Sequence, residues 1–319
     1  MPDQVELAGP ELTISAVGFG CGSLMQSPYR KERMAVLGAA LDGGITHFDT
    51  ARMYGLGMAE AELGRFLRNV ERDSVTVATK FGIGVGSLAA RLARFQSPAR
   101  AVLRKAPAFR RTVKQQYDAD RESRLYDAAV AAQSLDKSLE TLGLDYVDIL
   151  FVHDPGPGDT VATDELRAFF ERARTQGKIR AWGVAQDRQN DVDLSEAFEP
   201  EGVSQLRADL FDPPPREADI AFGVLNRSMA TLSKTLRSDP TLTDRWRETL
   251  QVDPLDPNTL VKLILGSSRT ATRCRAILYT STDPRRVAEA ANAVDMPPDP
   301  EVTATFLTLV KQLPSGGPR

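Results

Sequence analysis

"ITHFDTARMYGLGMAEAELGRFLRN", residues 45–69, holds one strand–loop–helix unit. The apolar run from Ile45 to Asp49 reads as a strand buried on both faces, which is how strands of a parallel sheet read. Residues 58–69 carry a helical pattern. Between them the chain places a carboxylate, Asp49, at the strand end and a phenol, Tyr54, five residues later.

The same unit recurs in both directions. "AVGFG" (16–20) precedes a helix over about 31–42, and "VTVATK" (75–80) is followed, after a long excursion, by a helix over 128–143. "VDILFVH" (147–153) leads to a helix over 164–177. "IRAWGVA" (179–185), "VSQL" (203–206), "DIAFGVL" (219–225) and "AILYTST" (276–282) complete the strands, and the last leads into a helix over 283–294. Strands alternating with helices imply a parallel sheet covered by helices. Eight such strands are more than an ordinary open sheet uses, so the expected fold is a (β/α)8 barrel. "QVEL" and "LTIS", joined at Gly9-Pro10, predict an N-terminal β-hairpin. The whole chain, 1–319, is read as one domain, with "PSGGPR" at its end expected to fray.

Two stretches break the alternation. Residues 84–124 carry ten Lys and Arg against three Asp and Glu. This basic insertion after the third strand reads first as a solvated helical excursion, and second as a lid for an anionic substrate or a partner surface. "FDPPPREA" (211–218) leaves little room for a helix between the sixth and seventh strands.

Composition excludes several classes. The 40 basic residues are balanced by 43 acidic ones, which argues against a nucleic-acid binder. No apolar run approaches the roughly 20 residues of a membrane helix, and the N-terminus lacks the pattern of a signal peptide. Two distant cysteines, Cys21 and Cys274, suit a reduced, cytoplasmic chain. Two histidines, His47 and His153, without His-Glu-x-x-His, argue against a histidine-built metal site. The glycines of "VGFGCGS" fail the G-x-G-x-x-G spacing, so a dinucleotide-binding open sheet is rejected.

In a barrel of this kind chemistry sits where strands end. Asp49, Lys80 and His153 end the second, third and fourth strands, and Tyr54 follows the second. Each alone has an ordinary explanation as a cap, surface charge or loop residue. Together they form a proton-handling set. A tyrosine loses its proton near pH 10, and a neighbouring ammonium lowers that value. Lys80 supplies the ammonium and Asp49 holds it. Tyr54 then donates a proton to a substrate oxygen that His153 orients. Such a set protonates an alkoxide, which hydride delivery to a carbonyl produces. Side chains cannot donate hydride, so a nicotinamide is implied.

On these residues the chain resembles the aldo-keto reductase family. "HFDTARMYGLGMAEAELG" is similar to its Asp-Thr-Ala…Tyr-Gly…Glu-x-x-Leu-Gly signature. "VATK", "VDILFVHDP" and "GKIRAWGVA" resemble its third, fourth and fifth strands. The likeness runs from "VGFGCGSL" to "TSTDPRRVAE" and is looser in the second half. It implies NADPH-dependent carbonyl reduction of a small carbonyl or sugar-like substrate, most simply by a monomer. Tyr54 is then the acid, Asp49 and Lys80 its tuning pair, and His153 the orienting residue.

The resemblance also proposes cofactor contacts. Gln186 stands where an asparagine commonly holds the nicotinamide amide, while Ala185 replaces the usual serine. Gln205 matches a sixth-strand glutamine, and Phe222 a ring that stacks on nicotinamide. Ser281 and Arg286 match the adenosine-phosphate segment, where Thr280 takes the place of a lysine. An arginine there favours NADP over NAD. Met25, Phe81 and Trp182 are candidates for apolar pocket walls, or equally for barrel-end packing. Two other readings share the family: a cofactor-binding regulatory barrel without turnover, and a sugar or alcohol dehydrogenase or redox-neutral enzyme.

Overall fold

The computed structural model describes residues 3–7, 9, 11–84, 124–187, 194–198, 200–295 and 299–313. The body of the basic insertion and the tail beyond Leu313 therefore lie outside the described residues.

Ten strands are present among the described residues. β1 (Gln4–Glu6) and β2 (Thr13–Ser15) make the antiparallel hairpin, with Val5 opposite Ile14. β3 (Val17–Gly20), β4 (His47–Asp49), β5 (Thr76–Phe81), β6 (Val147–His153), β7 (Ile179–Gln186), β8 (Val203–Arg207), β9 (Ala218–Phe222) and β10 (Cys274–Tyr279) follow. These eight are parallel and close on themselves in the order β10-β3-β4-β5-β6-β7-β8-β9. The eight runs read from the sequence are the eight barrel strands.

Nine helices are described: α1 (Arg30–Asp42), α2 (Met58–Leu67), α3 (Ala128–Leu142), α4 (Thr163–Thr175), α5 (Val224–Ser238), α6 (Pro240–Leu250), α7 (Pro257–Thr272), α8 (Pro284–Asp295) and α9 (Pro300–Lys311). α5, α6 and α7 fill the stretch between β9 and β10, which the strand–helix alternation read from the sequence does not reach. No described helix separates β8 from β9, as the proline-rich stretch implied.

Two strand boundaries need correction. "AILYTST" does not run as strand to Thr282, because β10 stops at Tyr279. "DIAFGVL" does not run as strand to Leu225. β9 stops at Phe222, Gly223 turns with φ 78°, and α5 begins at Val224. Glycine reaches this left-handed conformation without the Cβ clash that other residues meet there.

Side chains alternate along each strand and sort into two cores. Ala78, Ile149, Phe151, Ala181, Ala185, Val203, Ile220 and Ala276 fill the barrel, and Leu7, Leu12 and Ile14 of the hairpin region join them as a plug. The larger cluster lies between strands and helices, and it includes Phe48, Val77, Leu150, Phe170 and Trp182. Trp182 stacks on Phe170 at 5.6 Å with the rings 9° apart, and Phe81 meets Phe170 edge-on at 6.2 Å. Both candidate pocket walls are thus helix–sheet packing. Met25 is also buried in this cluster.

Candidate active site

Asp49 and Lys80 belong to the barrel's inner face. Asp49 ends β4, and Lys80 lies two residues beyond inward-facing Ala78 on β5. Both are 2% exposed. Lys80 Nζ donates to both Asp49 carboxylate oxygens at 2.5 Å and to the Thr50 carbonyl at 2.9 Å. Burial lowers the proton affinity of Lys80 below its ordinary value, and the Asp49 charge pulls in the opposite direction. Gln205 on β8 reaches across the barrel, and its Nε2 donates to Asp49 Oδ2 at 2.9 Å.

Tyr54 stands in a short 3₁₀ turn, Tyr54–Gly57, after β4. Lys80 Nζ lies 5.3 Å from the centre of its ring. The His153 ring, at the end of β6, meets Tyr54 edge-on at 5.8 Å and 84°. The four residues expected to converge are therefore brought together. Cys21 borders the group, and burial raises its thiol pKa far above the ordinary value, which keeps it protonated and inert.

The expected cofactor residues are spread along the same rim. The Gln186 carboxamide is used by neighbouring loops: Nε2 donates to the Pro155 carbonyl at 3.2 Å, and Oε1 accepts the Leu194 N–H at 3.2 Å. Phe222 ends β9 with the Arg207 guanidinium 6.0 Å from its ring centre. Next to it, the N-terminus of α5 has no side-chain cap, and Arg207 carbons lie within 4 Å of where a Cβ on Gly223 would stand. Thr280 shares a 2.5 Å hydrogen bond with Ser23. Ser281 accepts the Asp283 N–H at 3.1 Å, and the largely exposed Arg286 lies 4.0 Å from Asp283.

The sequence reading missed the residues that frame His153. Tyr126 donates its hydroxyl to the His153 carbonyl at 2.8 Å. Its ring lies against Gly82, where φ is 111° and a Cβ would strike the ring. Arg124 reaches the Asp154 carbonyl at 3.0 Å and the Asp159 carboxylate at 3.1 Å. Only the positive φ of Gly82 had any trace in the sequence, as a glycine just past a strand. Among the described residues no group of three or more His, Cys, Asp or Glu could hold a metal ion. No described helix is long and apolar enough to cross a membrane.

A closed eight-stranded barrel with this rim defines a class, and comparison assigns it: residues 16–198, more than half the chain, match the aldo/keto reductase family, to which this chain belongs. It is 35% identical over 184 residues to D-threo-aldose 1-dehydrogenase of a Pseudomonas species, covering 56% of this chain and 51% of that protein. It is 28% identical over 198 residues to the Schizosaccharomyces pombe aldo-keto reductase yakc [NADP(+)], covering 61% and 49% respectively. The chain thus spans about half the length of these curated relatives. A glycerol dehydrogenase from Gluconobacter oxydans shares the fold, with a TM-score of 0.66 at 19% identity over 99% of this chain and 98% of that one.

Proposed function

We propose that this chain is a nicotinamide-dependent oxidoreductase that interconverts an aldehyde or ketone and its alcohol, with NADPH as reductant. The observation that carries this reading is the Lys80–Asp49 pair buried beneath a tyrosine that faces a histidine.

The residues present suit a dinucleotide. Phe222 offers an aromatic face at the rim. The uncapped α5 N-terminus, with Arg207 beside it, offers backbone N–H groups and a cation to a diphosphate. Gln186, Gln205, Thr280, Ser281 and Arg286 are the remaining proposed contacts. Arg286 is the one cation among them, and it supports NADP over NAD. Bound nicotinamide supplies hydride, which this side-chain set lacks.

The chain's own residues handle the proton. Lys80 places positive charge 5.3 Å from the Tyr54 ring centre and so favours negative charge on the phenol oxygen as its proton leaves. Asp49 holds that ammonium at a fixed place, and Gln205 holds Asp49. His153, edge-on to Tyr54, is placed to orient the substrate oxygen. In the reverse direction the same tyrosine accepts the alcohol proton.

A second reading, oxidation of a sugar at its carbonyl-forming carbon, draws on the 35% identity to a protein named an aldose 1-dehydrogenase. Titration with NADPH and NADH, followed by fluorescence, tests cofactor binding. Reduction of a carbonyl panel and oxidation of aldoses, each with Tyr54→Phe as control, tests the reaction. Loss of about 10²–10⁴ in turnover in the variant, with cofactor affinity kept, is the expected result. Binding without turnover in either direction would favour a regulatory barrel. Failure to bind either nucleotide would remove the oxidoreductase reading.

A further inference from the structure

Asp154, the residue after β6, has φ 47°. For a non-glycine residue that conformation is uncommon and persists where surrounding contacts enforce it. Three contacts do so. The Asp154 N–H donates to the Ala185 carbonyl at 2.6 Å. Its Oδ1 accepts the Asp187 N–H at 2.9 Å. Its carbonyl accepts Arg124 Nη1 at 3.0 Å, and the same guanidinium lies 3.8 Å from its carboxylate.

The first of these contacts acts directly on the peptide joining His153 to Asp154. Tyr126 holds the carbonyl side of that peptide at 2.8 Å, and Ala185 holds the N–H side. The peptide plane is rigid, so pinning both sides fixes the backbone from which the His153 ring projects. The carboxylate clasp on Asp187 locks the end of β6 to the end of β7. Asp187 is itself 3.1 Å from Arg207 Nε, which extends the tie to the end of β8.

We infer that Asp154 is a positioning residue whose left-handed backbone and carboxylate clasp keep His153 facing Tyr54. Its catalytic meaning rests on the oxidoreductase reading above; the geometric part does not. Asp154→Gly keeps the backbone conformation available and removes the clasp. Asp154→Asn also tolerates the left-handed region, and its side-chain oxygen can still accept the Asp187 N–H.

The chain has two histidines, so its imidazole C–H signals in proton NMR reduce to two sets. His47→Gln assigns them. The His153 signal is expected at the same shift in wild type and Asp154→Asn, and displaced or broadened in Asp154→Gly. In parallel, kcat in Asp154→Gly is expected to fall between about ten- and a hundredfold, the scale of a misplaced reacting group, with cofactor Kd held and Asp154→Asn near wild type. An unmoved His153 signal in Asp154→Gly would overturn the inference. So would a loss of kcat that Asp154→Asn fails to rescue. If the wild-type protein turns over no carbonyl or alcohol, the functional reading fails, and the His153 signal alone decides the positioning claim.

Discussion

At the N-terminal end of the barrel Asp148 and Asp219 are as deeply buried as Asp49 is at the C-terminal end, at 0%, 2% and 2% exposure, but their partners differ in kind. Asp148 accepts the Val77 N–H at 2.8 Å and pairs with Arg72 and Arg180 at 2.6 and 2.8 Å. Asp219 accepts the Ser204 N–H and hydroxyl at 2.9 and 3.0 Å. Each stitches one strand to its neighbour through a backbone donor. Asp49 instead accepts from two side chains, Lys80 and Gln205, which come from opposite parts of the barrel. Carboxylates that meet backbone donors fix register. A carboxylate that meets an ammonium beneath a half-buried tyrosine fixes a charge. Equal burial therefore does not mean equal purpose, and substitutions should separate the two ends.

The largest separation is expected from the double variant Asp49→Asn/Lys80→Met. Turnover should fall by about 10²–10⁴, because the charge beside Tyr54 is gone. Stability should stay within about 1 kcal/mol of wild type or rise, because replacing a buried ion pair by neutral groups is often neutral or stabilising. The direction of the Lys80 shift, downward through burial despite Asp49, says the same: the fold does not fully repay the desolvation of this ammonium. Chemical denaturation beside steady-state kinetics checks both halves. A large drop in stability would erase the distinction between the two ends.

Asp148→Ala should do the reverse. It orphans the Val77 N–H and leaves two arginines without their carboxylate. The arginines reach solvent, so the expected loss is about 3–4 kcal/mol, shared between an unmet backbone donor and a broken pair. The kcat of the molecules that remain folded should hold. Urea denaturation followed by active-site titration of the native fraction measures each. A fall in kcat at constant stability would place Asp148 in the chemistry and not in the scaffold.

The same contrast explains what the sequence disclosed. The catalytic candidates Asp49, Tyr54, Lys80 and His153 all fall within residues 16–198, the stretch that matches the family. There the second, third and fourth barrel strands are short apolar runs with one polar residue, Asp49, Lys80 or His153, at or next to the end, so position and chemistry are written in adjacent letters. The proposed cofactor contacts Gln205, Phe222, Thr280, Ser281 and Arg286 lie beyond that stretch, where motif letters diverge. The C-terminal helices carried a different signal. α6, α7, α8 and α9 begin at Pro240, Pro257, Pro284 and Pro300, each preceded by an aspartate. Asp239, Asp256 and Asp299 accept the Leu242, Thr259 and Glu301 N–H groups at 2.8 or 2.9 Å. An aspartate cap followed by proline in the first turn is a readable helix start. Asp154 and Tyr126 were not legible at all. Their meaning lies in bonds to backbone atoms of other strands, which no local pattern encodes.

The smallest expected effect concerns His47, which sharpens the comparison because it shares a strand with Asp49. Two residues apart, both are buried, and His47 is paired toward the lower end: Nδ1 lies 2.9 Å from Thr76 Oγ1. Burial lowers its pKa from 6.5 to about 4, while the Asp49 charge acts the other way. Between those two values the unfolded chain binds a proton on this ring and the folded chain does not. Acidification through that window therefore favours unfolding, and stability rises with pH across it. The full contribution, reached below both values, is about 3 kcal/mol at 1.36 kcal/mol per unit. Denaturation midpoints between pH 7 and pH 4 should fall less steeply in His47→Gln than in wild type. Parallel slopes would mean that the ring takes up its proton in the fold as readily as in the unfolded chain, and that the layer beneath Asp49 is more polar than its contacts show.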